Sequence, residues 1–194
     1  MNWWTIGSLT VPASQIAMVI AFLLAALILW LKKERLMLDV YGNAVFVFIF
    51  TWKLSILLFN FSIVKQTPLS LLYFNGGWKG VWLGAALALM YLAWRCPREK
   101  YMLAAWVWML VLIVFGMADS LLTGQAGVLA FLQFAGGVAL LAIPRREAGR
   151  TVWLLTLWQL LFMSLADELF SPSSLLYVSV ACFFTFIGRR KHVG

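Results

Sequence analysis

Seven long apolar runs, separated by short polar gaps, carry this chain from one end to the other. They cover residues 11–31, 40–63, 80–94, 101–122, 127–143, 151–170 and 172–187. Each run is predicted to be a helix, because in hydrocarbon a helix satisfies every backbone N–H and C=O within its own segment. The gaps punctuate the runs in the same sense. Pro144 closes the fifth, since proline cannot continue a helix interior. Ser171 and Pro172 read as the N-cap and first residue of the seventh, which ends before Gly188. The third, fifth and seventh runs are short for a hydrocarbon core of ~30 Å, so thinning or a half-buried lead-in is expected there. The longest gap, 64–79, mixes the turn formers Pro68, Asn75, Gly76 and Gly77 with Leu69, Leu71, Leu72, Tyr73 and Phe74. It is expected to lie in the membrane interface rather than in water.

The fold class predicted is all-α: a polytopic membrane protein of seven transmembrane helices in a single domain over residues 1–194. Composition agrees, with 64% hydrophobic and 11% charged residues and a mean hydropathy of +0.94, too little polarity to wet the surface of a soluble domain. The N-terminal stretch lacks the basic region of a cleaved signal and is expected to remain, with Trp3 and Trp4 at the interface.

Charge then orients the bundle. Every second gap holds three basic residues: Lys32, Lys33, Arg35; Arg95, Arg98, Lys100; Arg145, Arg146, Arg150; and Arg189, Arg190, Lys191. Cytoplasmic loops retain Lys and Arg, so these gaps are assigned inside, with the N-terminus outside and the C-terminus cytoplasmic. Together with Glu34, Asp39, Glu99 and Glu147 they account for the whole net charge of +8. The excess is thus a topology signal, strengthened by attraction to anionic lipid heads, and nucleic acid is excluded as a partner. The remaining charges, Lys53, Lys65 and Lys79 against Asp119, Asp167 and Glu168, cancel and fall on the outer side.

That neutral remainder holds the candidate chemistry. Lys53 lies within the second run, about 20 Å from residue 40 at a rise of ~1.5 Å per residue. A lysine near a helix centre costs ~2.5 to 3.5 kcal/mol on insertion scales, so it must face the bundle or a cleft. It either snorkels to the head groups or pairs with Asp119, Asp167 or Glu168, or it holds an anionic ligand. Those three acids mark wet helix ends individually; with Lys53 and Lys79 they form a balanced cluster suited to a phospholipid head. Gly76, Gly77, Gly80 and Gly84 permit close approach, either of a neighbouring helix or of an oxyanion to backbone amides. No metal or cofactor is expected, since the single histidine, His192, lies in the basic tail, which also excludes a Ser/His/Asp triad on the outer side. Cys96 and Cys182 are placed as free thiols.

The first half of the chain resembles prolipoprotein diacylglyceryl transferase, a bacterial membrane enzyme that moves diacylglycerol from phosphatidylglycerol onto a prolipoprotein cysteine. Ile6-Gly7-Ser8-Leu9-Thr10-Val11 is similar to the family's I-G-P-L-T-I. Thr51 to Asn60 follows G-A-R-L-G-Y-V-L-F-N with Lys53 at the arginine, and Pro68 stands at a family proline. Gly76-Gly77 and Lys79-Gly80-Val81-Trp82-Leu83-Gly84 follow its paired glycines and H-G-x-x-x-G, with Lys79 at the histidine. The resemblance implies seven helices in the bacterial cytoplasmic membrane with the same orientation. It also implies phosphatidylglycerol as the ligand, and resemblance and charge cluster together give a lipid-binding set of Lys53, Asn60, Gly76, Gly77, Lys79, Gly80, Asp119, Asp167 and Glu168.

The departures fall on the catalytic groups. Ala13, Ser14 and Gln15 replace a W-Y-G, and the family signature overlays Phe115 to Gly127 with Gly116 at its arginine, Asp119 at its asparagine and Gly124 at its glutamate. Lysine supplies a point charge but not a bidentate fork for phosphate. The expected function is therefore a non-catalytic or altered relative that binds anionic phospholipid or a lipidated chain in an outer-leaflet cleft. Two alternatives stand beside it. One is an active divergent transferase, with Lys53 holding phosphate and Lys79 as base; the other is a membrane subunit docking a lipoprotein or another exported protein.

Overall fold

The computed structural model describes residues 3–6, 9–59, 65, 76–143 and 148–192. These form a two-stranded antiparallel ribbon, β1 (Trp3–Ile6) and β2 (Leu9–Pro12), then seven α-helices: α1 (Ala13–Leu31), α2 (Arg35–Phe59), α3 (Gly77–Arg95), α4 (Tyr101–Leu122), α5 (Val128–Leu141), α6 (Ala148–Leu165) and α7 (Pro172–His192). A short 3₁₀ turn, Arg98–Lys100, leads into α4. Three helical stretches, Ala13–Leu31, Arg35–Phe59 and Arg98–Leu122, are long and apolar enough to cross a membrane; Val128–Leu141 and Pro172–Ile187 are apolar but shorter. The protein is therefore all-α in its body, with the composition of a membrane protein.

Several boundaries differ from the hydrophobic runs for identifiable reasons. Val11 belongs to the ribbon, paired with Trp4, and α1 begins only after Pro12. A ribbon of eight residues is too short to show as alternation in sequence. α2 starts at Arg35 rather than 40, because Leu36, Met37 and Leu38 extend its apolar run towards the charge, with Met37 buried. α3 begins at Gly77, so its 19 residues are longer than the apolar run 80–94 alone. α5, at 14 residues, is short as expected, rising only about 21 Å. The Ser171 cap is present: its Oγ accepts from the Ser174 N–H at 3.4 Å. Pro144 lies outside the described residues.

The chain divides into two compact units, Leu36–Pro97 and the remainder, Met1–Arg35 with Arg98–Gly194. In the larger unit α4 is central, buried almost continuously from Leu103 to Ile113. α1 packs on it through Ala13, Ala17, Ala21, Ala25 and Leu29, all at most 2% exposed. Four-residue spacing sets these side chains along one face, and their small size lets the two backbones approach closely, the favoured way to gain van der Waals contact where lipid competes for every apolar surface. Leu23, Leu24, Leu27 and Trp30 point away and are exposed. At the end of this pair Lys100 bonds Glu34 at 2.5 Å. Lys32 Nζ sits 4.2 Å over the Trp106 ring, whose Nε1 donates to the Leu141 carbonyl at 3.2 Å.

α5 and α6 are joined by polar contacts within apolar surroundings. Gln133 Nε2 donates to Gln159 Oε1, and Trp158 Nε1 donates to the Gln133 carbonyl at 3.0 Å. Gln159 is only 5% exposed. The amide pair borders a small pocket with Ile113, Gly116, Met117, Ala130 and Phe134. Gln159→Leu is expected to destabilise the protein by about 1 to 2 kcal/mol, because the Gln133 amide loses its acceptor, whereas Gln133→Leu with Gln159→Leu should cost less than the single change. Denaturant unfolding of the three variants in detergent measures the difference.

Candidate functional site

The smaller unit holds most of the residues singled out in sequence, and its geometry begins with small side chains. The start of α3 lies against α2 so closely that Gly76 N donates to the Trp52 carbonyl at 3.3 Å. A Cβ on Gly76 would fall 1.8 Å from Ser55 Oγ, and one on Gly80 2.2 Å from the same atom. One on Gly84 would lie 2.9 Å from the Phe48 carbonyl oxygen. Gly76, Gly80 and Gly84 therefore form a four-residue-spaced seam into which Phe48, Trp52 and Ser55 pack. Ser55 faces that seam because its Oγ donates to the Trp52 carbonyl at 2.7 Å, satisfying the hydroxyl within its own helix. Of the two uses open to these glycines, close helix approach is the one realised at 76, 80 and 84. Gly77 differs: its φ of +57° lies in the left-handed region, and a Cβ there would meet nothing within 4 Å. Its role is conformational.

Lys53 is half-buried on α2, with its Nζ 5.9 Å from the centroid of the Trp52 ring. Among the described residues it makes no ion pair. Lys79 is exposed in the first turn of α3, its Nζ 5.8 Å over the Phe59 ring. Trp52, Ser55 and Phe59 lie three and four residues apart, on one face of α2. Both ammonium groups thus border the face that receives the beginning of α3. The positive end of that helix dipole adds to them. Asn60 and most of the segment 64–79 fall outside the described residues; only Lys65 and positions 76–79 of that segment are described.

The acidic candidates belong to the larger unit. Asp119 lies near the C-terminal end of α4, half-buried, with Oδ1 enclosed and without a hydrogen-bond partner among the described residues. Asp167 and Glu168 occupy the turn after α6, both exposed, and Asp167 adopts φ +57° as α6 ends. Asp119 and Glu168 lie within electrostatic range of each other, and Tyr177 on α7 lies in the field of both. Among the described residues there is no cluster with the composition of a metal site. Cys96 and Cys182 are both free thiols.

Sequence reasoning missed Trp52, Ser55, Tyr177 and the Gln133–Gln159 pair. Charged residues inside apolar runs are conspicuous by their cost, whereas uncharged polar groups there are not. The signal was present: Gln133 and Gln159 interrupt otherwise apolar runs, and Ser55 follows Trp52 by one helical turn.

The smaller unit thus carries a seam of glycines with two lysines near one helix junction, and the larger unit, taken by itself, carries an acidic helix end. Compared with known proteins, the chain matches no protein family, no curated protein and no solved structure.

Proposed function

We propose that this chain is a multi-pass protein of the bacterial cytoplasmic membrane, with seven spans, its N-terminus outside and its C-terminus in the cytoplasm. In this reading it binds an anionic phospholipid, or a lipidated chain, at the outer leaflet without transferring the lipid. The observation that carries the reading is Lys53: a half-buried cation in an apolar span, without an ion pair among the described residues. Such a charge is costly in hydrocarbon, and a phosphate head group offsets the cost. Lys79, at the start of the adjoining helix, offers a second cation on the same unit. The resemblance to diacylglyceryl transferase supports phosphatidylglycerol as the lipid, and the absence of the signature arginine and glutamate supports a binding rather than a catalytic role.

Native mass spectrometry of protein extracted in mild detergent tests the reading. Phosphatidylglycerol is expected to co-purify, and Lys53→Ala to reduce its retention about tenfold, the effect of losing one charge-assisted hydrogen bond. Equal lipid in both proteins would overturn the assignment. Restored growth of a strain depleted of its own diacylglyceryl transferase would replace it with catalysis.

The orientation has its own check. In a background carrying Cys96→Ser and Cys182→Ser, Asn2→Cys in intact cells should react with a membrane-impermeant maleimide, while Arg98→Cys should react only after permeabilisation. The reverse pattern would invert the topology.

A further inference from the structure

We infer that the indole N–H of Trp52 is a ligand donor which, with Lys53, Lys79 and the first turn of α3, makes a site for a phosphoryl oxygen. The inference rests on the anion-binding reading above and goes beyond it by naming a neutral donor that selects the bound atom.

Trp52 is 8% exposed, and its Nε1 is enclosed without an acceptor among the described residues. Buried tryptophans ordinarily place this N–H on a partner, because an unsatisfied donor forfeits its hydration for nothing in return. Three tryptophans of the larger unit show the ordinary pattern: Trp106 donates to the Leu141 carbonyl, Trp153 to Thr185 Oγ1 and Trp158 to the Gln133 carbonyl. Trp52 departs from it at the place where the candidate cations gather.

The packing places the pyrrole edge of the ring. Cδ1, the carbon bonded to Nε1, lies so close to Gly80 that a Cβ there would come within 3.1 Å of it. The pyrrole edge of the indole therefore faces the first turn of α3. That turn presents the amides of Trp78 and Lys79, which have no acceptor within the helix, at the positive end of 19 residues of aligned peptide dipoles. Lys79 Nζ stands over Phe59, two turns from Trp52 on α2, and Lys53 Nζ stands over the Trp52 ring itself. Two ammonium groups, a helix N-terminus and an unspent N–H thus lie along the part of α2 from Trp52 to Phe59 and the start of α3 beside it. Every one of these groups donates, and the acceptor they share is an oxyanion with several lone pairs. Phosphate offers more such oxygens than a carboxylate and matches a helix N-terminus well. The phosphate can belong to a phospholipid head or be free in solution.

Titration of the ¹⁵N-labelled protein in detergent micelles distinguishes the sources, with Trp52→Phe identifying the indole resonance. Short-chain phosphatidylglycerol is expected to shift the Trp52 indole N–H downfield and saturably. If inorganic phosphate alone produces the same shift, the ligand is the free ion; if only the lipid does, it is the head group, and either supports the site. Trp52→Phe, which keeps a ring in the seam, is expected to weaken phosphatidylglycerol binding about tenfold. The titration of the unmutated protein stands even where the variant folds poorly. An unmoved resonance while phosphatidylglycerol binds and Lys53→Ala weakens that binding would overturn the Trp52 assignment and leave the lipid-binding reading intact. No binding by the unmutated protein would overturn both.

Discussion

Gly136→Ala is expected to destabilise the protein by about 1 to 3 kcal/mol, the usual effect of forcing extra volume into a filled contact. The added methyl would fall 2.2 Å from Cζ2 and 2.5 Å from Cε2 of Trp158. A flexible side chain could swing aside, but this indole is held. Its Nε1 donates to the Gln133 carbonyl, and its ring packs edge-on against Phe162 at a centroid distance of 5.1 Å. Moving it breaks the hydrogen bond that ties α6 to α5, beside the Gln133–Gln159 pair. Denaturant unfolding in detergent reads the effect, and a blue or red shift of tryptophan emission should accompany it. Stability within about 0.5 kcal/mol of the unmutated protein would mean that α5 and α6 separate more easily than their packing implies.

Gly80→Ala is expected to have a comparable effect in the smaller unit, and it has a built-in rescue. The new Cβ would meet Ser55 Oγ at 2.2 Å, Trp52 Cδ1 at 3.1 Å and the Trp52 carbonyl oxygen at 3.2 Å. Only the first contact is severe. Ser55→Ala removes that oxygen, so the double variant should recover part of the loss, with a coupling of about 0.5 to 3 kcal/mol between neighbouring sites. Ser55→Ala alone should cost little, since its hydroxyl bonds only the Trp52 carbonyl of its own helix. A double variant no better than Gly80→Ala would show that the tight Trp52 contacts, not Ser55, set the approach of the two helices.

Much of the architecture was legible in the sequence because hydrophobic length is a strong signal. The apolar runs anticipated the all-α body, and Ser171 with Pro172 marked the start of α7 correctly. The ribbon of Trp3–Ile6 and Leu9–Pro12 was not legible, as four-residue strands next to an apolar helix carry too few positions to reveal a period of two. The site was partly legible. A lysine within an apolar span identifies itself by its cost, so Lys53 stood out. The glycines stood out too, but which partner they admitted could not be read from spacing alone. Helix packing and anion binding use the same residue for the same lack of a Cβ, and only the closeness of Ser55 and Phe48 decides among them at 76, 80 and 84. Trp52 was hidden for the opposite reason. An indole in an apolar run is unremarkable until the fate of its one N–H is known.

The packing of α1 on α4 carries a consequence for biosynthesis. The two helices are separated in sequence by the whole segment Leu36–Pro97. At a synthesis rate of about 5 to 20 residues per second, several seconds pass between completion of α1 and emergence of α4. During that interval the alanine stripe of α1 lacks the helix it packs on. That stripe is suited to waiting: it bears no hydrogen-bonding side chain to leave unsatisfied, and an alanine surface in hydrocarbon loses only contact, which α4 later restores. Had the union depended on a buried polar pair, like the one between α5 and α6, the same delay would have exposed an amide to the bilayer. The polar pairing is found instead between helices made one directly after the other.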